Sequence, residues 1–295
     1  MRLFADTSDP AVIKDLHYRG IISGVTTNPT TASKYINENR RAIKTIRDLA
    51  YTIFDAVGPI PVSIETVGCE PPDYSWQDMQ SLDWRKWAPI EDRIYSESVR
   101  IMEWSDELGA EFWQKVPAIP AGVRAMARLV YDYPEKAKIN ATLGFDYKQG
   151  VRAAEAGAYV FSLFMGRMQA AGEDPIPVAK RIIDEYTERE FRTGFLAASM
   201  RTPELILDSW RAGADIATAP PDVLEQLARK YPKEFGEIVS RHPKKGRLLV
   251  PMVSPVMYFT DEFSHPLLAP GLDRFVSDAA SAGYNLLESA KEVKV

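Results

Sequence analysis

Residues 111–123 read EFWQKVPAIPAGV. An apolar stretch reaches the polar side chain of Lys115, and a helical pattern follows over residues 120–134. Short apolar stretches that alternate with helical patterns are typical of βαβ units in a parallel sheet. These residues therefore predict a buried strand, a turn and a helix, with Lys115 at the carboxyl end of the strand.

Seven other segments repeat this arrangement of an apolar stretch with a polar residue at or near its end. The eight segments are RLFAD (2–6), GVTTN (24–28), PVSIE (61–65), EFWQK (111–115), INAT (139–142), VFSLF (160–164), LAAS (196–199) and ADIAT (214–218). Helical patterns cover residues 10–19, 30–57, 89–108, 120–134, 146–156, 174–190, 203–212 and 221–230. The alternation predicts an α/β fold, a (β/α)8 TIM barrel, whose active site collects residues from the carboxyl ends of several strands.

A long stretch, residues 67–88, separates the third strand from its helix and contains Tyr74, Trp76, Trp84 and Trp87. In a barrel, a loop that follows a strand emerges on the active-site face. We expect this extended loop either to roof the pocket or to pack its aromatic side chains on the rim or on a neighbouring subunit.

The chain continues past the eighth unit with a proline-containing stretch, residues 231–264, and an amphipathic pattern that predicts a helix over residues 271–293. We therefore expect a single barrel domain over residues 1–230. Residues 231–295 form a C-terminal extension that packs on the barrel or on a neighbouring subunit.

Composition excludes several classes of protein. The 41 acidic and 36 basic residues give a net charge of −5, the wrong sign for a general nucleic-acid binder, so no nucleic-acid partner is expected. The only cysteine is Cys69, which leaves no intrachain disulfide framework. Asp6 interrupts the first apolar stretch and no run is long enough to span a membrane, so we expect a cytoplasmic protein with no membrane partner.

Lys115, Asp6 and Glu65 are the candidate catalytic residues. A lysine attacks a carbonyl only as the neutral amine, which burial favours. A carboxylate at the end of an apolar strand is costly unless it has a partner or a task, and beside a Schiff-base lysine it can move protons. The alternatives are a Lys115 ammonium that reaches solvent and a carboxylate that serves as its ion-pair partner.

Arg167 and Arg201 follow the sixth and seventh strands. Guanidinium groups match phosphate oxygens, and barrels often bind phosphate near their last strands, so the pair predicts a phosphorylated substrate. The alternative for each is a surface salt bridge. His17, His242 and His265 are scattered, and glycine-rich phosphate loops are absent from the sequence. The sequence therefore indicates neither a clustered metal site nor a phosphate loop of the dinucleotide or Walker type.

Together these segments resemble the transaldolase family, especially its small members and the related fructose-6-phosphate aldolases. The matching strings are DTSD from Asp6, GVTTNPT around Asn28, VSIET around Glu65, QKVPA around Lys115, INATL around Asn140, FSLFMGR around Phe164, AASMR around Ser199, and GADIATAPPDVL. They occur in the same order up to about residue 230, and HPL and GLDRF match further on, near His265 and Gly271.

The resemblance implies a class I enzyme in which Lys115 forms a Schiff base with a ketose phosphate. Asp6 would exchange a proton with the hydroxyl at the cleaved bond, and Glu65 would act with Thr142 on a catalytic water. The dihydroxyacetone unit would be held by Asn28, Asn140 and Ser162, and the phosphate by Arg167, Ser199 and Arg201. The enzyme would transfer the dihydroxyacetone unit to an aldose phosphate, would need no metal and no organic cofactor, and would be a homo-oligomer.

Glu65 and Phe164 favour a transferase, because the aldolase relatives typically have Gln and Tyr at these positions. Phe164 cannot hydrogen-bond a water near the intermediate. The chain departs from the family pattern at four positions: Ile119, Gly144, Asp146 and Leu163. These departures bear on which acceptor the enzyme would use and on which terminal anion the donor would carry. The alternatives are an aldolase, a transaldolase for another anionic ketose, and a catalytically silent barrel that acts as a binding protein.

Overall fold

The computed structural model describes residues 1–68, 84–240 and 263–287. Within these ranges eight parallel strands pair in chain order, and pairing of the first with the eighth closes the barrel. The strands are β1 (Arg2–Asp6), β2 (Gly24–Thr26), β3 (Val62–Glu65), β4 (Phe112–Pro117), β5 (Ile139–Gly144), β6 (Val160–Leu163), β7 (Gly194–Ala197) and β8 (Ile216–Ala219). The predicted (β/α)8 barrel is confirmed.

The helices alternate with the strands and surround them. In the described ranges they are α1 (Pro10–Tyr18), α2 (Pro29–Glu38), α3 (Ile46–Val57), α4 (Ala88–Leu108), α5 (Pro120–Asp132), α6 (Tyr147–Glu155), α7 (Met165–Ala170), α8 (Pro175–Glu188), α9 (Pro203–Ala212), α10 (Pro221–Lys230), α11 (Pro232–Ser240) and α12 (Leu268–Ala282). The pattern did not predict α7 or α11. None of the helices in the described ranges is long and apolar enough to cross a membrane.

The prediction of one continuous helix over residues 30–57 is wrong. The chain forms α2 and α3 with a break between them. Thr45 starts α3 by accepting a hydrogen bond from the Asp48 N–H at 3.0 Å, and the Asp48 carboxylate accepts from the Thr45 N–H at 2.9 Å. This capping box satisfies N–H groups that a continuous helix would have bonded internally, and so favours a new helix start.

The predicted C-terminal helix, residues 271–293, is wrong at both ends. Helix α12 starts at Leu268 and stops at Ala282, where Gly283 takes a left-handed conformation with φ 65°. Glycine adopts this conformation without the steric cost of a Cβ, which makes it a common helix terminator. Tyr284 then turns inward and its side chain is buried.

The two stretches that interrupt the sequence pattern lie partly outside the described residues. Residues 69–83, which include Tyr74 and Trp76, are outside, and so are residues 241–262 and 288–295. Trp87 is inside, and its buried indole packs under the Arg124 guanidinium, 5.5 Å from the ring centre. At this position the aromatic residue therefore packs on α5 of its own barrel.

Aromatic rings fill the barrel interior below Lys115. Successive side chains of a strand alternate in direction, so Trp113 and Lys115 point to the same side of β4. The Trp113 ring is fully buried and contacts Phe4 at 5.5 Å and Tyr159 at 5.1 Å between ring centres. These rings separate the lysine from the amino-terminal end of the barrel.

Candidate active site

Lys115 lines a pocket at the carboxyl ends of the strands. It is 4% exposed, and Nζ donates a hydrogen bond to the Thr27 carbonyl oxygen at 2.8 Å. Nζ also lies 2.7 Å from Oε2 of Glu65, which occupies the paired position on β3. The lysine therefore does not reach bulk solvent, and Glu65 is its ion-pair partner.

Glu65 is 1% exposed, and its burial raises the pKa of the carboxyl above the ordinary value, against the opposing charge of Lys115. The backbone around it is also held. The Tyr284 hydroxyl donates to the Glu65 carbonyl oxygen at 2.6 Å. Downstream, the Glu97 carboxylate accepts from the N–H groups of Val67 and Gly68 at 2.8 and 3.0 Å. These contacts restrict the backbone that carries the carboxylate.

Asp6 faces the same pocket from β1. Desolvation in the pocket raises the pKa of its carboxyl, although the charge of Lys115 opposes the shift. The Asn28 amide donates to Asp6 Oδ1 at 3.0 Å, and the Asn28 side-chain oxygen accepts from the Thr31 N–H at 3.0 Å as the cap of α2. Asn28 therefore orients Asp6 while its own amide is oriented by the start of the helix.

A chain of buried hydrogen bonds continues along the other side of the lysine. The Ser162 hydroxyl donates to Asn140 Oδ1 at 2.6 Å, and Asn140 Nδ2 donates to the Ser63 hydroxyl at 3.1 Å. Asn140 is paired with Lys115 across β4 and β5. Ser162 lines the pocket, whereas Asn140 lies behind it and fixes the Ser162 orientation.

Thr142 is fully buried, and its hydroxyl has no hydrogen-bond partner among the described residues. It lies where the register of β5 and β6 shifts, and the next residue, Leu143, has a left-handed φ of 56°. The Gln149 amide holds this turn by donating to the carbonyls of Leu143 and Ala118 at 3.0 and 2.8 Å. Bulges of this kind commonly redirect a side chain beside an active site.

Arg167, Phe164 and Ser199 also line the pocket. Burial lowers the pKa of the Arg167 guanidinium, Glu65 acts in the other direction, and Arg274 and Arg201 lower it further. The Arg167 guanidinium has no hydrogen bond or ion pair to a side chain or backbone group of the described residues. A positive group that is half-buried beside other cations is suited to an anionic ligand.

Most of the predicted site residues converge on this pocket, but not all of them. The lining residues include Asp6, Asn28, Lys115, Ser162, Phe164, Arg167 and Ser199. Glu65, Asn140 and Thr142 stand behind the lining. Arg201 is exposed on the rim and does not line the pocket.

Four lining residues were not assigned a role from sequence: Thr26, Ala198, Thr218 and Phe275. The hydroxyls of Thr26 and Thr218 lie 2.7 Å apart, and Thr26 also approaches Asp6 Oδ1 at 3.4 Å. The sequence signal for a role of Thr218 was its position at the end of one of the eight apolar segments. Phe275 had only the GLDRF string as a signal, because its helix lies far along the chain from the barrel strands.

Gly166 permits a close approach of α7 to the Ser199 backbone. A Cβ on Gly166 would lie 1.8 Å from the Ser199 carbonyl oxygen, and Ser199 itself has φ 58°. We expect Gly166→Ala to lower the free energy of unfolding by about 1–3 kcal/mol, because α7 or Ser199 must move. Urea unfolding measures this change.

Gly236 provides the matched control. It lies within α11, and a Cβ there would meet no atom within 4 Å. Gly236→Ala is expected to raise the free energy of unfolding by up to about 1 kcal/mol, because alanine has the higher helix propensity. Equal stabilities of the two variants would contradict the close approach at Gly166.

The described residues contain no group of three or more His, Cys, Asp or Glu side chains arranged to hold a metal ion. The titratable groups that converge are instead one lysine and two carboxylates. A buried amine beside carboxylates of raised pKa is an arrangement suited to carbonyl addition and proton transfer.

Comparison with known proteins agrees with this geometry. A sequence model of the family described as Transaldolase/Fructose-6-phosphate aldolase matches residues 90–286. A probable transaldolase of Rhodospirillum centenum is 29% identical over 98% of this chain and 96% of its own length. A probable transaldolase of Herpetosiphon aurantiacus is 32% identical over 78% of this chain and 88% of its own length. A probable transaldolase of Ruegeria sp. is 28% identical over 97% of this chain and 100% of its own length.

The family match covers more than half of the chain and extends through α12. Its range therefore includes the helix that contributes Phe275 to the pocket as well as the strands that carry Lys115, Asn140 and Ser162. With the closed barrel and the converging lysine and carboxylates, these matches establish that the chain belongs to the transaldolase/fructose-6-phosphate aldolase family of enzymes.

Proposed function

We propose that the protein is a class I transaldolase. It transfers a dihydroxyacetone unit from a ketose phosphate, such as fructose 6-phosphate or sedoheptulose 7-phosphate, to an aldose phosphate. The observation that carries the proposal is the position of Lys115 Nζ, buried in the pocket and 2.7 Å from the Glu65 carboxylate. A proton acceptor at this distance can take the ammonium proton and leave a nucleophilic amine.

The first step is addition of the neutral Lys115 amine to the C2 carbonyl of the donor. The carbinolamine then loses water and becomes an iminium. Glu65 gives the departing hydroxyl a proton through a water that it holds with Thr142. The raised pKa of Glu65 suits a group that exchanges protons, and the unpartnered Thr142 hydroxyl is available to that water.

Asp6 acts in the cleavage step. Its carboxylate takes the proton of the C4 hydroxyl, the O–H electrons form the C4 carbonyl, and the C3–C4 bond breaks. The electrons of that bond pass into the iminium and leave an enamine on Lys115. Addition of the enamine carbon to the acceptor aldehyde reverses these events, with Asp6 returning the proton. The raised pKa of Asp6 makes it a stronger base than an exposed aspartate.

Polar groups around the lysine select the substrate. Asn28 and Ser162 face the pocket and hold hydroxyls of the three-carbon unit, and Asn140 holds Ser162 in place. Arg167 and Ser199, which also line the pocket, bind the phosphate. Exposed Arg201 adds positive charge beside Arg167. Preorganised donors of this kind bind an anion without a large reorganisation cost.

Transfer, rather than release of dihydroxyacetone, is favoured by Phe164. Its ring packs on Phe145 at 5.5 Å and under the Arg167 guanidinium at 4.9 Å, and it brings no hydroxyl to the intermediate. The enamine therefore has no phenol at this position to help a water protonate it, and it reacts instead with an aldehyde acceptor. We further propose that the enzyme acts in cytoplasmic carbohydrate metabolism as a homo-oligomer, a state that light scattering measures.

Borohydride trapping tests the proposal. The protein is incubated with fructose 6-phosphate, reduced, digested and analysed by mass spectrometry. We expect one adduct, with the mass of the reduced three-carbon unit, on the peptide that contains Lys115. An unmodified Lys115, or an adduct confined to other lysines, would contradict the Schiff-base mechanism.

Product analysis separates the transferase from the aldolase. With fructose 6-phosphate and an aldose phosphate such as erythrose 4-phosphate, we expect a new ketose phosphate to accumulate. Without an acceptor, we expect little free dihydroxyacetone beyond the first turnover. Continuous release of free dihydroxyacetone would identify an aldolase, and the absence of both products would fit a silent binding protein.

A further inference from the structure

The Arg167 guanidinium lies between two aromatic rings that come from distant parts of the chain. Its central carbon is 4.9 Å from the Phe164 ring centre and 5.2 Å from that of Phe275. Phe164 follows β6, whereas Phe275 belongs to α12, and both line the pocket. A planar cation between two rings is restricted in its tilt, because each ring face attracts it.

Arg167 is held in this way without a carboxylate of its own. Among the described residues its guanidinium has no ion pair or hydrogen bond, and Arg201 and Arg274 contribute further positive charge nearby. Arg274 is 62% exposed and its Nε lies 3.5 Å from the Asp278 carboxylate. The N–H groups of Arg167 thus remain available to a ligand while the rings hold the plane.

Helix α12 is fixed against the barrel at the level of the pocket. Gly271 lets it approach closely, since a Cβ there would lie 3.0 Å from Arg167 Nη1 and 3.1 Å from Leu143 Cδ2. Further along, the Ser33 hydroxyl donates to the Asp278 carbonyl oxygen at 2.7 Å, and Thr30 donates to the Asp278 carboxylate. Both donors lie on α2, so the helix that Asn28 caps also anchors the helix that carries Phe275.

We propose that Phe275 is a positioning residue that holds Arg167 for the anionic end of the donor. The C-terminal helix thereby sets the preference for phosphorylated over neutral ligands. This inference rests on the proposed function for its substrate, but the anion subsite is open to a separate test. An arginine that is already held loses less side-chain entropy when it binds an anion, and the affinity rises accordingly.

Phe275→Leu removes the ring while keeping an apolar side chain of moderate size. We expect the KM for fructose 6-phosphate to rise about tenfold, the effect of losing one cation–π contact in a partly desolvated site, with kcat within about twofold. Dihydroxyacetone has no phosphate, so the concentration that gives half-maximal trapping on Lys115 is expected to be the same in this variant as in the wild type. An equal loss of affinity for fructose 6-phosphate and for dihydroxyacetone would mean that Phe275 has only a structural role.

Two variants serve as matched controls. Phe275→Tyr keeps the ring and is expected to retain the KM of the wild type. Val276→Ala truncates the neighbouring buried residue of α12, which does not line the pocket. This variant tests whether loosening α12 is by itself sufficient to raise the KM for fructose 6-phosphate. We expect it to leave that KM unchanged. A tenfold rise in KM with Phe275→Tyr or with Val276→Ala would overturn the proposal.

Inorganic phosphate probes the subsite without turnover. A ligand that binds the folded state raises the unfolding temperature as its concentration increases. We expect the phosphate concentration for the half-maximal rise to be about tenfold higher in Phe275→Leu than in the wild type. The same phosphate dependence in both proteins would overturn the inference. A failure of Lys115 trapping in the wild type, with the phosphate difference intact, would instead refute the Schiff-base proposal alone.

Discussion

Replacing Lys115 with methionine is expected to lower kcat by roughly 10³-fold or more and to eliminate the borohydride-trapped adduct. Methionine fills a similar volume but has no amine to form the iminium. Without the iminium, the electrons of the C3–C4 bond have no electron sink. Steady-state transfer assays and mass spectrometry of the reduced protein measure the two effects.

The stability of this variant needs its own control, because Lys115→Met leaves the Glu65 carboxyl buried without its cation. Removing one member of a buried pair commonly costs about 3–5 kcal/mol. The double variant Lys115→Met/Glu65→Gln removes both titratable groups and is expected to recover stability without recovering activity. A folded double variant that keeps a tenth of the wild-type transfer rate would show that another residue is the nucleophile.

Lys138 offers a matched lysine outside the site. It forms an ion pair with Glu111 at 2.9 Å, and both residues precede strands at the opposite end of the barrel. We expect Lys138→Met to keep the adduct on Lys115 and the transfer rate. The pair is partly exposed, so the loss of stability is expected to stay below about 1 kcal/mol.

Asp6→Asn is expected to lower the rate of transfer by about 10²–10⁴-fold while leaving imine formation intact. The amide cannot take the C4 hydroxyl proton, but the Lys115 amine and its Glu65 partner are unchanged. Dihydroxyacetone should therefore still be trapped on Lys115. Loss of trapping as well as transfer would contradict a role confined to the cleavage step.

The same variant is expected to be more stable than the wild type at pH 7. Burial raises the pKa of Asp6 in the folded state above 3.8, the ordinary value of an aspartate. The wild type therefore loses stability as the pH rises from 3.8 through the folded pKa, since ionisation is easier in the unfolded chain. Asparagine carries no proton to lose, so its advantage is present at pH 7 and vanishes at acid pH.

Urea unfolding at pH 7 and at acid pH measures this difference. Asp9→Asn is the matched control, because Asp9 caps α1 by accepting from the Ala11 N–H at 2.9 Å and asparagine caps a helix equally well. We expect that control to leave the transfer rate unchanged. An Asp6→Asn variant less stable than the wild type at pH 7 would contradict the raised pKa.

The barrel and most of the pocket could be predicted from sequence, because each strand and each helix is encoded by residues that are close together in the chain. Strand and helix signals repeat along it, and the carboxyl end of each strand must face the same end of the barrel. The positions of Lys115, Asp6 and Arg167 follow from that rule. Helix ends are less certain, since local caps decide them, as Thr45 and Gly283 illustrate.

By itself, the sequence determined the barrel, the lysine at the end of β4 and the carboxylates of β1 and β3. Only the tertiary structure decided which groups meet across large separations. Closure of β1 on β8 places Thr218 beside Thr26, and the docking of α12 brings Phe275 to Arg167. The physical reason is that periodicity encodes which face of an element is buried, whereas the partner of that face is selected by packing among all the elements.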